Sequence, residues 1–199
     1  MVDAWKDARL PEKQIALNRK ELNGAYPQHW RDLLQCLRSG KTPLGLPFYD
    51  VGCGVGATYA LLRQERIPVS YLGLDFSEAM IATARAAWGA PDAFQVDDYR
   101  TWTRDLSDGI LYCTGLLDIV EDGVKELHRL LSFGCPTVIL NRVNVGQRAS
   151  LQSYHAYGTI TAFSYTFAYQ EFIDVIKSSG YSIEYLTSSG CYLLRKNMP

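Results

Sequence analysis

The chain has 199 residues, 47% of them hydrophobic and 21% charged, enough for one domain with a core of its own. Twenty basic against 21 acidic residues leave a formal net charge of -1, which argues against a nucleic-acid or membrane-surface protein, because those need a phosphate-neutralising patch. The five cysteines are scattered and form no C-x-x-C pair, which argues against a zinc site and for free thiols in a reducing, cytoplasmic setting.

The first residues, MVDAWKDARLPEKQ, hold no apolar stretch long enough for a signal peptide, and nowhere does a run approach the roughly 20 apolar residues of a membrane span. Two helices are predicted next. LPEKQIALNRKELNG sets Ile15, Leu17 and Leu22 in a polar frame and stops at Gly24. PQHWRDLLQCLRSG repeats Trp30, Leu33, Leu34 and Leu37 at helical spacing and stops at Gly40. The breaker-rich KTPLGLP links them to the first predicted strand.

From residue 48 the pattern alternates. FYDV, SYLGLD, AFQV, DGILYCT and CPTVILNRV read as strands, and GATYALLRQER, SEAMIATARAAWG and EDGVKELHRLLSFG read as helices between them. Such alternation means crossover units, a parallel sheet and a doubly wound α/β fold. Residues 147–168 break the rhythm and read as a Tyr-rich loop or hairpin laid over the sheet. YQEFIDVIKSSG is a last helix, and YSIEYLTSSGCYLLRK reads as two antiparallel strands about a Ser-Ser-Gly turn.

The chemistry concentrates in DVGCGVGAT, with Asp50 ahead of Gly52, Gly54 and Gly56. In an open parallel sheet, ligands bind beyond the carboxyl ends of the strands. Glycines there let the backbone turn sharply and let a ligand approach without a Cβ in the way. The string satisfies the loose dinucleotide fingerprint. It suits equally a phosphate-free nucleoside, S-adenosylmethionine, whose ammonium and sulfonium charges tolerate a nearby acid. Asp50 favours the second, since a carboxylate beside the turn repels a pyrophosphate.

The second predicted strand ends at Asp75, nineteen residues beyond Gly56, where a carboxylate can accept from both ribose hydroxyls. Met80 follows one turn later, where it can lie on an adenine face. The third strand ends in Asp97-Asp98, and either acid can accept from an adenine amino group. Each acid also has a structural reading: Asp75 with Ser77 as a cap, and Asp97 or Asp98 as the cap of a short helix. Three acids at three successive strand ends fit an adenosine without phosphates better than coincidence.

The ordered set of Asp50-x-Gly52-x-Gly54-x-Gly56, GLDFSEAMIATAR and QVDDY, with the terminal antiparallel pair, resembles class I S-adenosylmethionine-dependent methyltransferases over roughly residues 46–196. The resemblance implies an α/β, doubly wound, Rossmann-like three-layer αβα fold with a seven-stranded, mostly parallel sheet and an antiparallel last strand. It implies S-adenosylmethionine as cofactor. Gly52, Gly54 and Gly56 would line its methionine and ribose, and Asp50 would stand near the amino-acid end. Asp75 would hold the ribose hydroxyls, Asp97 or Asp98 would face the adenine, and Phe76, Met80 and Tyr99 would also line the cofactor. Cys113 and Thr114 would face the methyl group. Residues 1–45 form an N-terminal helical cap on a 46–199 methyltransferase domain, one compact unit, expected as monomer or homodimer. No Asn-Pro-Pro-Tyr motif appears, which argues against amino-methylation of DNA bases or glutamine.

Methyl transfer needs mainly alignment of nucleophile and methyl, with a base where an alcohol must lose its proton. His155 in the Tyr-rich insert is the histidine of choice, ahead of His29 and the mid-helix His128. Arg142 can hold an anionic or polyhydroxylated acceptor. Tyr154, Tyr157 and Tyr165 are expected as an aromatic wall, and Gln14, Tyr26 and Trp30 as closing the cleft. ILNRV with the Tyr-rich insert is also similar to methyltransferases found with glycan or secondary-metabolite pathways. The expected acceptor is therefore a small-molecule or glycan-like hydroxyl, with no nucleic acid, membrane or metal involved. An NAD(P)-dependent reductase is the alternative enzyme. A non-catalytic cofactor-binding regulator is the alternative outside catalysis.

Overall fold

A computed structural model describes residues 7–156 and 160–197. Its centre is a sheet of seven strands: β1 (Pro47–Val51), β2 (Ser70–Asp75), β3 (Phe94–Val96), β4 (Ile110–Thr114), β5 (Thr137–Asn141), β9 (Tyr181–Leu186) and β10 (Tyr192–Lys196). Across the sheet they run in the order β3-β2-β1-β4-β5-β10-β9. β10 lies antiparallel between β5 and β9, while β1 to β5 pair in parallel. The order reverses between β1 and β4. Their carboxyl ends therefore diverge and leave a crevice.

The sheet is covered on both faces, as a parallel sheet must be. Alternate residues supply the two cores. Phe48, Ile110, Tyr112, Ile139 and Leu193 pack with helices α2 (Gln28–Arg38) and α3 (Ala57–Gln64). Val51, Leu111, Cys113, Val138, Leu140 and Leu194 pack with α5 (Gly123–Ser132) and α6 (Tyr169–Ser178). The adjoining α4 (Glu78–Trp88) packs Ile81 and Ala84 against Phe94 and Cys53. It begins at Ser77, whose side chain accepts from Met80 N–H, and ends at a left-handed Gly89.

The two N-terminal helices do different work. α2 buries Trp30, Leu33, Leu34 and Leu37 in the sheet's own core. α1 (Leu10–Leu22) buries only Leu10, Pro11 and Leu22 and leaves Leu17 exposed. The Tyr-rich insert is a hairpin of β7 (Ser150–Ala156) and β8 (Ile160–Ala168), with β6 (Val145–Gly146) on the far side of β8. Near its tip, Ala156 and Ala162 join Leu10, Val55 and Met80 in one small cluster. The hairpin thus reaches across the crevice to α1. Among the described residues, no helix is long and apolar enough to cross a membrane, and all five cysteines are free and buried.

This division of labour predicts unequal costs. Leu33→Ala should destabilise by about 2–5 kcal/mol, because it opens a cavity in the sheet's core. Leu17→Ala should stay within about 0.5 kcal/mol. Urea denaturation measures both, and equal costs would contradict α2 as an integral layer.

Candidate functional site

β1 runs straight into the glycine turn, and α3 leaves it. Gly52, Gly54 and Gly56 all have positive φ, 75°, 54° and 76°. Gly56 has a second reason to be bare. A Cβ there would stand 2.5 Å from the Phe94 ring. At Gly54 a Cβ would meet Gln14 Oε1 at 3.0 Å, so α1 lies directly over the turn. The turn is tied to β2 by Gly52 and Cys53 N–H groups donating to Leu74 O, at 2.8 and 3.1 Å.

Asp75 completes that tie. Its Oδ2 accepts from Gly54 N–H and its Oδ1 from Ser77 N–H, each at 2.9 Å. The sequence offered capping and ligand-holding as alternatives for this acid. The geometry combines a cap with a place in the cavity wall, since Asp75 also lines the crevice. Burial raises its pKa, and the two N–H groups moderate the rise.

Asp50 is wholly buried behind the turn. Its Oδ2 accepts from Tyr71 O–H at 2.6 Å, and its Oδ1 has no hydrogen-bond partner. Burial pushes its pKa up to about 7, moderated by the Tyr71 hydroxyl. A buried carboxylate of this kind fits a nearby positive charge and not a phosphate.

These groups border one cavity of about 830 Å³. Such a volume lies toward the upper end of the roughly 300–1,000 Å³ typical of ligand pockets. Phe76, Met80, Asp97 and Tyr99 line one end. Tyr99 donates to Glu126 Oε2 at 2.6 Å, and Arg104 pairs with Asp97 at 3.2 Å. Asp98 is engaged elsewhere. It caps the short helical turn at Tyr99–Thr101 and takes Arg100 Nε at 2.8 Å, which leaves Asp97 as the acid on the cavity. Arg100 also lies over the Phe76 ring, 5.7 Å from its centre.

The other end is built from β4, β5, α1, α2 and the hairpin. Thr114, Gly115 and Leu116 form its floor, with His29 and Trp30, Gln14 and Asn18, and Arg142 around it. Arg142 holds a left-handed backbone with φ 59° and pairs with the buried Asp118 at 3.3 Å. Asn141 Nδ2 donates to His29 O at 2.7 Å, which fixes α2 to the end of β5. Burial, helped by the Arg142 charge, pushes the His29 pKa down to about 4. Tyr154 and the exposed His155 stand on the hairpin rim of the same cavity.

Several expected residues lie elsewhere. Cys113 points into the core, one residue before Thr114 on the cavity. Tyr165 packs on Phe167, with ring centres 4.9 Å apart, and over Gly123, where a Cβ would strike it at 2.5 Å. It is a core residue and no part of the cavity wall. Tyr26 supports Trp30 edge-on and donates to Glu65, behind the wall. His128 stands beside Ser179 on α5. Tyr157 lies outside the described residues. Sequence reasoning missed Asp118, although it sits in GLLD, just beyond a strand end.

Residues 48–134 match the family model described as a methyltransferase domain. That match takes in under half of the chain, and it agrees with the resemblance to class I S-adenosylmethionine-dependent methyltransferases. The chain is 32% identical over 102 residues to a trans-aconitate 2-methyltransferase of Methylobacterium radiotolerans, covering 50% of this chain and 39% of that one. It is 34% identical over 92 residues to one of Escherichia coli O1:K1, covering 46% and 36%. The chain thus spans less than two fifths of the length of these curated relatives. In fold it resembles DesVI of Streptomyces venezuelae, with TM-score 0.66, 15% identity and 96% and 99% of the two chains covered. It also resembles magnesium protoporphyrin IX methyltransferase of Synechocystis with bound S-adenosylmethionine, with TM-score 0.61, 17% identity and 98% and 91% covered.

The cavity fits S-adenosylmethionine on its own chemistry. The bare turn, the unpartnered Asp50 oxygen, the Asp75 carboxylate and the apolar Phe76 and Met80 suit, in order, an aminoacyl chain, a cation, a ribose and a base. Among the described residues no cluster of His, Cys, Asp or Glu could hold a metal ion.

Asp50 gives a testable pH dependence. Its folded pKa lies above its unfolded value, so the folded state holds the proton more tightly. Its stabilisation is full below about pH 4 and is lost as pH rises to about 7, by roughly 4 kcal/mol. His29 has the opposite slope between about pH 4 and 6.5. The stability difference between wild type and Asp50→Asn isolates the aspartate. It should fall with pH across 4–7 in the ligand-free protein and flatten above. A constant difference would contradict the buried, proton-holding carboxylate.

Proposed function

We propose that this chain transfers a methyl group from S-adenosylmethionine to an oxygen of a small or glycan-like acceptor. One observation carries the reading: a single cavity runs from the acid-lined glycine turn to the ends of β4 and β5, where His29, Thr114 and Arg142 line it. Bound S-adenosylmethionine supplies a methyl on a sulfonium that leaves as a neutral thioether. The rest falls to the chain. Asp75 and Asp97 take the nucleoside's hydroxyl and amino donors, and Gln14 of α1 closes over the turn. The α1 helix and the hairpin tip, meeting at Leu10, Ala156 and Ala162, keep water from the crevice.

At the acceptor end the useful proton acceptor is an unprotonated imidazole. His29 is neutral at pH 7 because burial and Arg142 disfavour its charge, and it lines the same cavity as Thr114. His155, the histidine chosen from the sequence, is exposed on the rim. The acceptor hydroxyl donates a hydrogen bond to His29, a weak base at so low a pKa, and Arg142 orients the molecule; the proton passes by way of His29 to solvent as the methyl is transferred. The trans-aconitate 2-methyltransferases and the sugar N-methyltransferase among the similar proteins act on small polar molecules by name, which supports a small polar acceptor and not the choice of oxygen.

The test is transfer of a labelled methyl group to a panel of small hydroxylated and glycosylated acceptors. His29→Ala should lower kcat by more than about tenfold and leave S-adenosylhomocysteine affinity unchanged. His155→Ala should lower it by less than about threefold. The reverse ranking would return the proton acceptor to the hairpin. Tight nucleoside binding without transfer to any acceptor would favour a non-catalytic binding protein.

A further inference from the structure

A second groove of about 510 Å³ opens off the acceptor end. Arg142 and Tyr154 line both spaces, so the two are continuous past these side chains. The groove walls are almost entirely amide and hydroxyl. Gln152 and Ser153 come from β7, Ser164 from β8, Asn144 from the chain after β5, and Ser189 from the turn between β9 and β10.

Its charge is balanced. Among the described residues that line it, the one cation, Arg142, faces the one anion, Asp118, which is buried and 3.3 Å away. An anionic ligand would meet Asp118, and a cationic one would meet Arg142. A neutral ligand bearing several hydroxyls meets neither penalty, since each hydroxyl both donates and accepts. The polar groups are also held in place. Asn144 Nδ2 reaches Ser164 Oγ at 3.4 Å and Tyr165 O at 3.3 Å, and Ser189 O–H donates to Asp32 at 2.6 Å. Arg142 keeps its place through a strained, left-handed backbone, with its guanidinium over Gly115 at the end of β4. Strain of this kind is retained where surrounding structure fixes a functional geometry.

β7 offers a further sign. It is an edge strand, and Ser150 to His155 are all exposed. That edge gives Gln152, Ser153 and Tyr154 to the groove.

We propose that the groove is a second acceptor subsite for an uncharged, polyhydroxylated group, a sugar residue, carried beside the atom that is methylated. The acceptor spans both spaces. Its reacting hydroxyl lies by Thr114 and His29, and its sugar lies between Arg142, Tyr154, Gln152 and Ser153. This rests on the methyl-transfer reading and narrows its substrate to a glycosylated or oligosaccharide molecule.

The experiment is a nitrogen-15 NMR titration with methyl glycosides of glucose, galactose and rhamnose, run with and without saturating S-adenosylhomocysteine. At least one glycoside should shift the Gln152, Ser153 and Ser164 amides. The double variant Gln152→Ala, Ser153→Ala should weaken that binding by about tenfold or more, with nucleoside affinity unchanged. Glucuronate, the anionic control, should bind more weakly than glucose. If no glycoside shifts these amides, or the double variant binds equally well, the subsite is overturned. A loss of nucleoside binding alone would instead count against the methyl-transfer reading.

Discussion

One carboxylate joins the two turns on which the site is built. Asp75 ends β2, yet its oxygens take the N–H groups of Gly54 after β1 and of Ser77 at the start of α4. Two strand ends are thereby held at one spacing, and the cavity opens between them. The carboxylate is almost wholly buried, where an unpaired charge would be costly, so the two N–H groups also make it tolerable. The same arrangement explains why the glycines are bare. Gly56 has no room for a Cβ against Phe94, and all three take a left-handed backbone. Their freedom serves the chain's own packing as much as any ligand's approach.

Strand order does the rest. The reversal between β1 and β4 parts their carboxyl ends, and every group on the cavity floor comes from those ends or the loops after them. β10 slots antiparallel between β5 and β9, which places the β9–β10 turn, with Ser189, beside the acceptor end. The roof is lighter. α1 and the hairpin tip meet through Leu10, Ala156 and Ala162, a contact of small side chains over a deep crevice. Few buried apolar contacts hold this roof, so opening it costs less than disturbing the sheet.

The fold was legible because its strands are short and buried on both faces, and because helical spacing returns cleanly between them. β4 and β5 read as continuous apolar runs, as strands covered on both sides do. The strand-end acids were legible for the same reason. Their individual duties were not. Asp97 and Asp98 are adjacent and identical, and only the Arg100 pairing on Asp98 separates them. Tyr165 reads like its neighbour Tyr154, but the pleat of β8 sends it onto Phe167 and Gly123. His29 reads as one polar residue on a helix. Its lowered pKa comes from burial and from the charge of Arg142, over a hundred residues away, a proximity no local pattern carries.

The most direct test of the phosphate-free adenosine site is thermal unfolding with S-adenosylhomocysteine, and separately with NAD and NADP. A ligand at about a hundred times its dissociation constant stabilises by roughly 2.7 kcal/mol, a shift of several degrees in a domain of this size. The nucleoside alone should raise the midpoint, since the unpartnered Asp50 oxygen and the Asp75 carboxylate favour an ammonium and a ribose over a pyrophosphate. A rise with NAD or NADP and none with S-adenosylhomocysteine would contradict the site's chemistry as described.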